Sequence, residues 1–161
     1  MHSRIFGIIT KEEYEEYIEC NGELEMPKWQ FEENLPPEMD YVDGDVNFEE
    51  DCQWLIKCLK QNSNKLEYDE NTHVIKFLSG FKEEYFKKKW DTLHSFIHQP
   101  DAFDQFCKNT MLPFRMSETI NDRYGFYQCD ENGGYETFDN FVRYLDTNKE
   151  YVIFGSLDYH Y

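Results

Sequence analysis

The sequence predicts an α+β domain in which one mixed or antiparallel sheet packs with about four helices. Helical and strand-like segments alternate irregularly along the 161 residues, and no glycine-rich phosphate-binding turn separates them, so a doubly wound parallel fold is not favoured. Hydrophobic residues make up 40% and aromatic residues 18% of the chain, which is enough for one core without disulfides or a metal. We therefore expect residues 1–161 to form a single globular domain.

The first predicted strand covers residues 4–10, which are apolar and β-branched at their centre. Thr10 and Glu13 have the spacing of a capping box, in which a hydroxyl and a carboxylate satisfy each other's backbone amides at a helix start. A helix is therefore predicted over residues 11–20. The Asn21-Gly22 pair that follows is typical of a helix end.

Residues 22–46 are predicted to form an ordered acidic loop region with at most one helical turn. Three prolines and many carboxylates disfavour regular structure in this segment. Apolar residues that a disordered linker would lack are expected to anchor it: Trp29, Phe31, Leu35, Met39 and Tyr41.

The clearest predicted helix covers residues 47–61, where Asn47 and Glu50 form a cap pair. Its apolar residues recur at the spacing of one helical face, which we expect to be core: Phe48, Cys52, Leu55, Ile56 and Leu59.

Two strands, residues 65–69 and 73–79, are predicted to form a hairpin after this helix. A second long helix is predicted over residues 81–99 and is ended by Pro100. Its apolar side is expected to pack on the core: Tyr85, Phe86, Trp90, Leu93, Phe96 and Ile97.

The C-terminal third has weaker patterns. A short helix is predicted over residues 101–109, a loop over 113–122 and a strand over 124–129. After a glycine-rich break, a helix is predicted over 137–145 and a last apolar strand over 151–157.

The net charge of −17 is distributed unevenly along the chain. Residues 1–51 hold 16 Asp or Glu against 3 Lys or Arg, a net of −13, whereas residues 52–115 hold 8 against 10, a net of +2. Residues 116–161 hold 9 against 3, a net of −6. A field this negative repels nucleic acid and anionic lipid and attracts basic partners. We therefore expect a cationic protein partner, with no direct nucleic acid binding and no membrane binding.

The five cysteines are odd in number and never form a Cys-x-x-Cys pair, so neither a disulfide framework nor a zinc ribbon is indicated. Free thiols fit a reducing compartment. No apolar stretch is long enough for a membrane helix, and residues 1–10 lack the features of an export signal. These observations predict a cytoplasmic protein, monomeric or weakly dimeric, that needs no cofactor.

One pair of residues has the spacing of metal ligands. His94 and His98 lie four residues apart on the second long helix, so their side chains can approach one ion. Ser95 stands where zinc proteases carry a glutamate general base, and that motif is therefore not matched. The pair is either two exposed polar residues or the centre of a metal-dependent enzyme.

The acidic first third also contains aromatic residues, and this combination suits a protein interface. Carboxylates attract Lys and Arg on a partner, while aromatic side chains supply much of the binding energy. The residues predicted to bind a partner define what we call the acidic–aromatic surface: Trp29, Glu32, Glu33, Glu38, Asp40, Tyr41, Asp43 and Asp45. The alternative is that the carboxylates only keep the chain in solution.

The strand at residues 5–9, the acidic helix at 11–18 and the acidic, aromatic stretch at 29–51 give the chain a general character that resembles small acidic immunity proteins of bacterial toxin systems. This resemblance implies an inhibitor that neutralises a toxin by binding it, with no catalysis of its own. Spaced carboxylates are also compatible with a DNA mimic, encoded by a phage or plasmid, that inhibits a restriction or CRISPR nuclease. A metal-dependent enzyme around His94 and His98 is the third hypothesis.

Overall fold

The computed structural model describes residues 2–98, 101–108 and 111–161. Within these ranges the chain forms seven helices and one seven-stranded mixed sheet. The predicted α+β class is therefore confirmed, although the described helices number seven rather than about four.

The helices of the described residues are α1 (Lys11–Asn21), α2 (Lys28–Glu33), α3 (Phe48–Asn62), α4 (Phe81–Ile97), α5 (Ala102–Lys108), α6 (Met111–Asn121) and α7 (Phe138–Tyr144). The strands are β1 (His2–Thr10), β2 (Tyr41–Asp43), β3 (Leu66–Asp69), β4 (Val74–Phe77), β5 (Tyr127–Cys129), β6 (Tyr135–Thr137) and β7 (Glu150–His160).

The two longest strands, β1 and β7, form the antiparallel centre of the sheet. The strand order is β3-β4-β7-β1-β5-β6, and β2 pairs with β7. β4 pairs with residues 150–152 of β7 and β2 pairs with residues 158–160, so they occupy opposite ends of that strand. Because β1 and β5 are parallel and the other pairs are antiparallel, the sheet is mixed.

One face of the sheet is covered by α3, α4 and α7, and this is the main core. Four of the five α3 residues predicted to be core are buried, and the fifth, Phe48, is partly buried against the same cluster. Asn47 caps α3 as predicted, because its side chain accepts a hydrogen bond from the Glu50 amide.

The apolar side of α4 is only partly a core surface, which contradicts the expectation for its second half. Phe81 and Tyr85 are buried, but Trp90 is 66% exposed and Ile97 is 58% exposed. The C-terminal half of α4 instead runs alongside α5 and α6. Helical periodicity marks an apolar side but does not show how far along the helix the sheet extends.

Replacing Leu55 with Ala is expected to lower the free energy of unfolding by about 2–5 kcal/mol, because Leu55 is 0% exposed and its removal leaves a cavity. Trp90→Ala is the comparison and is expected to change stability by less than about 1 kcal/mol, since most of its ring is in solvent. Urea unfolding of both variants measures the difference. Equal losses would show that these helix faces are assigned incorrectly.

The C-terminal third differs most from the prediction. Residues 113–122 were predicted to be a loop, but α6 covers most of them, with Pro113 in its first turn. Proline is tolerated there because the first helical amides have no intrahelical acceptor. The strand predicted over 124–129 is limited to β5, and the short strand β6, which follows the glycine-rich break, was not predicted.

Residues 22–46 cover the second face of the sheet and contain α2 and β2 rather than loop alone. The buried residues of this segment include Leu24, Phe31, Met39 and Val42, and most of them pack in a second cluster with β1, β5 and β7. Met26 lies over the paired glycines of β1 and β7, where a side chain on either glycine would meet it.

Two of the five expected anchors, Phe31 and Met39, are therefore correct. Trp29, Leu35 and Tyr41 are exposed instead.

A buried ionic network joins β1, β7 and α3 beside the main core. Arg4 donates to Asp51 at 2.7 Å and also pairs with Asp158, and both carboxylates are buried. Ser156 donates to the second oxygen of Asp51 at 2.9 Å, and the His2 ring lies 2.7 Å from Asp158. The network therefore has one guanidinium shared by two carboxylates.

Candidate functional site

The structure gives the acidic–aromatic surface a rigid support and places its rings in solvent. Trp29 on α2 is 59% exposed and Tyr41 on β2 is 46% exposed. The carboxylates of the surface are also exposed, except Glu38, which is partly buried. Because α2 contacts β2, residues about a dozen positions apart in sequence become neighbours.

Carboxylates greatly outnumber basic residues in the segment that carries this surface. Residues 22–46 contain eight carboxylates and one basic residue, Lys28. Its ammonium group lies 3.5 Å from Glu32 and 3.6 Å from Asp43, which links α2 to β2. A backbone hydrogen bond from Asp45, with the Lys28 charge as a smaller cause, lowers the pKa of Asp43. That carboxylate is therefore ionised throughout the neutral range.

A cluster of three rings lies at one end of the surface. Tyr41 stacks on His160 with ring centroids 5.2 Å apart and an interplanar angle of 4°, and His2 packs edge-on against both. The His160 ring also lies 3.1 Å from Asp40. Tyr41 is thus held in place on one side and exposed on the other, which is the condition of a preorganised contact residue.

Among the carboxylates of the surface, only Glu38 is partly buried rather than exposed. It lies 3.7 Å from Arg123, so its charge is already paired within the chain. The acidic residues of α1, by contrast, lie near the ends of β1 and β7 that are opposite β2. The surface proper is therefore the α2–β2 end, which carries both rings and carboxylates.

His94 and His98 are brought together but not into a metal centre. Their rings are 3.9 Å apart, and both side chains are exposed at the end of α4. Among the described residues, no group of three or more His, Cys, Asp or Glu side chains has an arrangement able to hold a metal ion. The third ligand that the enzyme hypothesis requires is not found in the part of the chain that the structure describes.

The two buried cysteines have the properties of structural thiols. All five are free, and Cys52 and Cys129 are buried. Burial raises the pKa of each of these two thiols to about 12, so neither forms a thiolate at neutral pH.

A cleft of about 330 Å³ lies beside the surface and was not predicted from the sequence. We call it the Asp122 cleft. Its lining includes Trp54, Lys89, Asp122, Tyr124 and Phe126, and His2 joins it to the ring cluster. Lys89 pairs with Asp139 of α7 and lies 3.5 Å from Asp122, while the Tyr85 hydroxyl donates to Asp139 at 2.7 Å. α4, α7 and the turn after α6 therefore bring together side chains that are far apart in sequence.

The turn that carries Asp122 is held by three hydroxyl groups. Ser3 and Tyr159 both donate to the Gly125 carbonyl, at 2.9 and 2.5 Å, and Tyr127 donates to the Arg123 carbonyl at 3.0 Å. Asp122 itself has a φ of 48°, in the left-handed region that often ends a helix. These hydrogen bonds from β1, β5 and β7 therefore fix the turn that carries the Asp122 carboxylate.

Burial raises the pKa of Asp122 to about 7, since the nearby Lys89 only partly offsets the loss of hydration. The folded protein then binds this proton more tightly than the unfolded chain, whose carboxyl has a pKa of 3.8. By proton linkage, Asp122 stabilises the folded protein below about pH 4, and this stabilisation is lost as the pH rises through about 7. The ionisable groups around it are Lys89 and Tyr85 on α4, Asp139 on α7, Tyr127 on β5 and Tyr159 on β7.

Replacing Asp122 with Asn is expected to remove this pH dependence. The free energy of unfolding of the variant, relative to that of wild type, should rise by about 2–4 kcal/mol as the pH increases from 4 to 8. Asn also tolerates the left-handed backbone, so the substitution does not strain the turn. Urea unfolding at several pH values measures the difference, and a difference that does not vary with pH would contradict the burial of this carboxylate.

Several large apolar side chains are exposed on the helical side of the molecule: Trp90, Ile97, Phe103, Phe106, Met111, Phe114 and Ile120. They belong to α4, α5 and α6, which pack mainly on one another. Exposed apolar groups of this size are typical of contact surfaces. Nothing in the described residues indicates what covers them.

None of the described helices is both long enough and apolar enough to cross a membrane. No protein-family model matches the sequence, and no curated protein or solved structure is similar to it.

Proposed function

We propose that the protein works by binding, and that it inhibits a cationic protein partner through the acidic–aromatic surface without catalysis of its own. The setting that we infer is that of an immunity protein that neutralises a bacterial toxin or nuclease in the cytoplasm. The observation that carries the proposal is the exposure of Trp29 and Tyr41 in residues 22–46, a segment that packs on the sheet and holds eight carboxylates but only one basic residue.

The carboxylates and the aromatic rings of this surface act at different steps of binding. The net charge of −13 over residues 1–51 raises the encounter rate with a basic protein and orients it toward this end of the molecule. Exposed rings on a packed segment then bury apolar area, and the stacking of Tyr41 on His160 reduces the entropic cost for that ring. A surface that served only for solubility would have no need of the two rings.

The alternative is a DNA mimic that occupies the basic groove of a nuclease. Such a protein needs carboxylates in two rows at the spacing of phosphates and has no need of aromatic anchors. Trp29 and Tyr41, which lie between the carboxylates, favour a protein surface as the target. Competition by duplex DNA for the same partner would favour the mimic.

Affinity capture from the source cells tests the proposal. The immobilised wild-type chain should retain a basic protein in amounts that mass spectrometry can quantify. A Trp29→Ala, Tyr41→Ala double variant should lose it, since these rings are expected to slow dissociation. Trp90→Ala, which removes an equally exposed ring on α4, is the matched control and should retain it. Retention by all three chains would exclude this surface as the binding site.

A further inference from the structure

The Asp122 cleft has a charge arrangement that is incomplete without a ligand. On the lining, Lys89 supplies one positive charge and Asp122 one negative charge. Asp139, which is not a lining residue, pairs with Lys89 and adds a second negative charge. Asp139 is the better paired of the two, because it also accepts from the Tyr85 hydroxyl. Asp122 lies on the cleft lining with 21% of its side chain accessible, so a ligand can reach it.

The sign of this charge selects the class of ligand. An anion in the cleft would meet Asp122 and a lysine that already faces two carboxylates, and its loss of hydration would not be recovered. A cation would instead supply a second positive charge beside Asp122, which shares Lys89 with Asp139. The acidic residues near the cleft also increase the local concentration of cations.

The rings of the lining support the same choice. Trp54 and Phe126 pack edge to face with centroids 4.9 Å apart, and Tyr124 stacks on Tyr161 at 4.5 Å. All four line the cleft. Aromatic faces attract ammonium and guanidinium groups, and the Arg4 guanidinium already lies 5.6 Å from the centre of the Trp54 ring.

We propose that the Asp122 cleft binds an organic cation, a primary ammonium or guanidinium group on a short alkyl chain, with its charge paired to Asp122 and its chain against the aromatic rings. The volume of about 330 Å³ is at the small end of the range for ligand sites and fits a group the size of a Lys or Arg side chain. This site is separate from the acidic–aromatic surface and does not depend on the function proposed above.

Titration with four probes of similar size tests the site: n-butylammonium, n-butylguanidinium, n-butanol and butyrate. The titration is done at pH 8, where Asp122 is ionised. The two cations should shift the backbone amide signal of Gly125 and the indole signal of Trp54, with a Kd on the order of 1 mM. Equal shifts with butanol or butyrate would overturn the proposal.

Variants connect the binding to Asp122. Asp122→Asn should weaken both cations at least tenfold, whereas Asp91→Asn, which removes an exposed carboxylate from α4, should not. If Asp122→Asn does not fold, Trp54→Leu removes a ring of the lining and should also weaken binding. If the variant that is tested folds and binds both cations with wild-type affinity, the assignment of the cleft as a cation site is overturned.

A second arm identifies the source of the cation. If the natural ligand is a basic side chain of the protein partner, Asp122→Asn should reduce partner capture as well as butylammonium binding. If it is a free amine, partner capture should be unchanged while amine binding is lost. Loss of capture by the Trp29 and Tyr41 variant with unchanged amine binding would show that the two sites are independent.

Discussion

Arg4→Met is expected to lower the free energy of unfolding by about 3–5 kcal/mol, because it removes the only guanidinium in the network with Asp51 and Asp158 and leaves two buried carboxylates without a counter-charge. The methionine keeps most of the aliphatic length of the side chain, so the loss reports on charge more than on packing. Urea unfolding at neutral pH measures it.

The matched control is Lys11→Met. Lys11 pairs with Glu150 at 3.1 Å, but both side chains are about 40% exposed, so solvent screens the pair and its loss should change stability far less than the loss of Arg4. A loss below 1 kcal/mol for Arg4→Met would mean that solvent reaches Asp51 and Asp158 and that the network is not a structural element of the fold.

The second large effect is expected on association with a basic partner. Replacing four exposed carboxylates of the surface by lysine, Glu32, Glu33, Asp40 and Asp45, should slow association roughly tenfold to a thousandfold at low salt. Glu38 is left unchanged because it pairs with Arg123. The salt dependence of the rate should decrease in the same variant, since exposed charges act mainly on the encounter.

The control changes the same number of charges elsewhere. It replaces Glu70, Glu83, Asp91 and Asp104 by lysine, all of them exposed residues within 52–115, the part of the chain with a net charge of +2. Association measured by surface plasmon resonance should change far less for this variant. Equal slowing in both would mean that only the net charge matters, and the acidic–aromatic surface would then be a feature of solubility.

The parts of the fold that the sequence predicts well depend on local signals. The Thr10–Glu13 capping box is present, with the Thr10 side chain and the Glu13 amide bonded as expected, and α1 begins at the next residue. α3 follows its cap in the same way, and both long strands of the centre were located from their apolar runs. In these segments the nearest neighbours in sequence determine the structure.

The remaining features depend on residues that are distant in sequence. Trp90 has the periodicity of a core residue, but α4 extends past the sheet at that point. The Asp122 cleft unites Lys89 and Asp139 with a turn that follows α6, a helix that Pro113 made difficult to predict. The only local sign was that Tyr85 and Lys89 lie four residues apart on one helix, and that spacing alone does not indicate a site.

The acidic–aromatic surface is tested most directly by amide hydrogen exchange of the full chain with and without the captured basic protein. We expect slower exchange on binding across residues 28–45, with α3 and α7 unchanged because they lie under the opposite face of the sheet. Slower exchange limited to α4, α5 and α6 would place the partner on their exposed apolar side chains and would contradict binding at the acidic–aromatic surface.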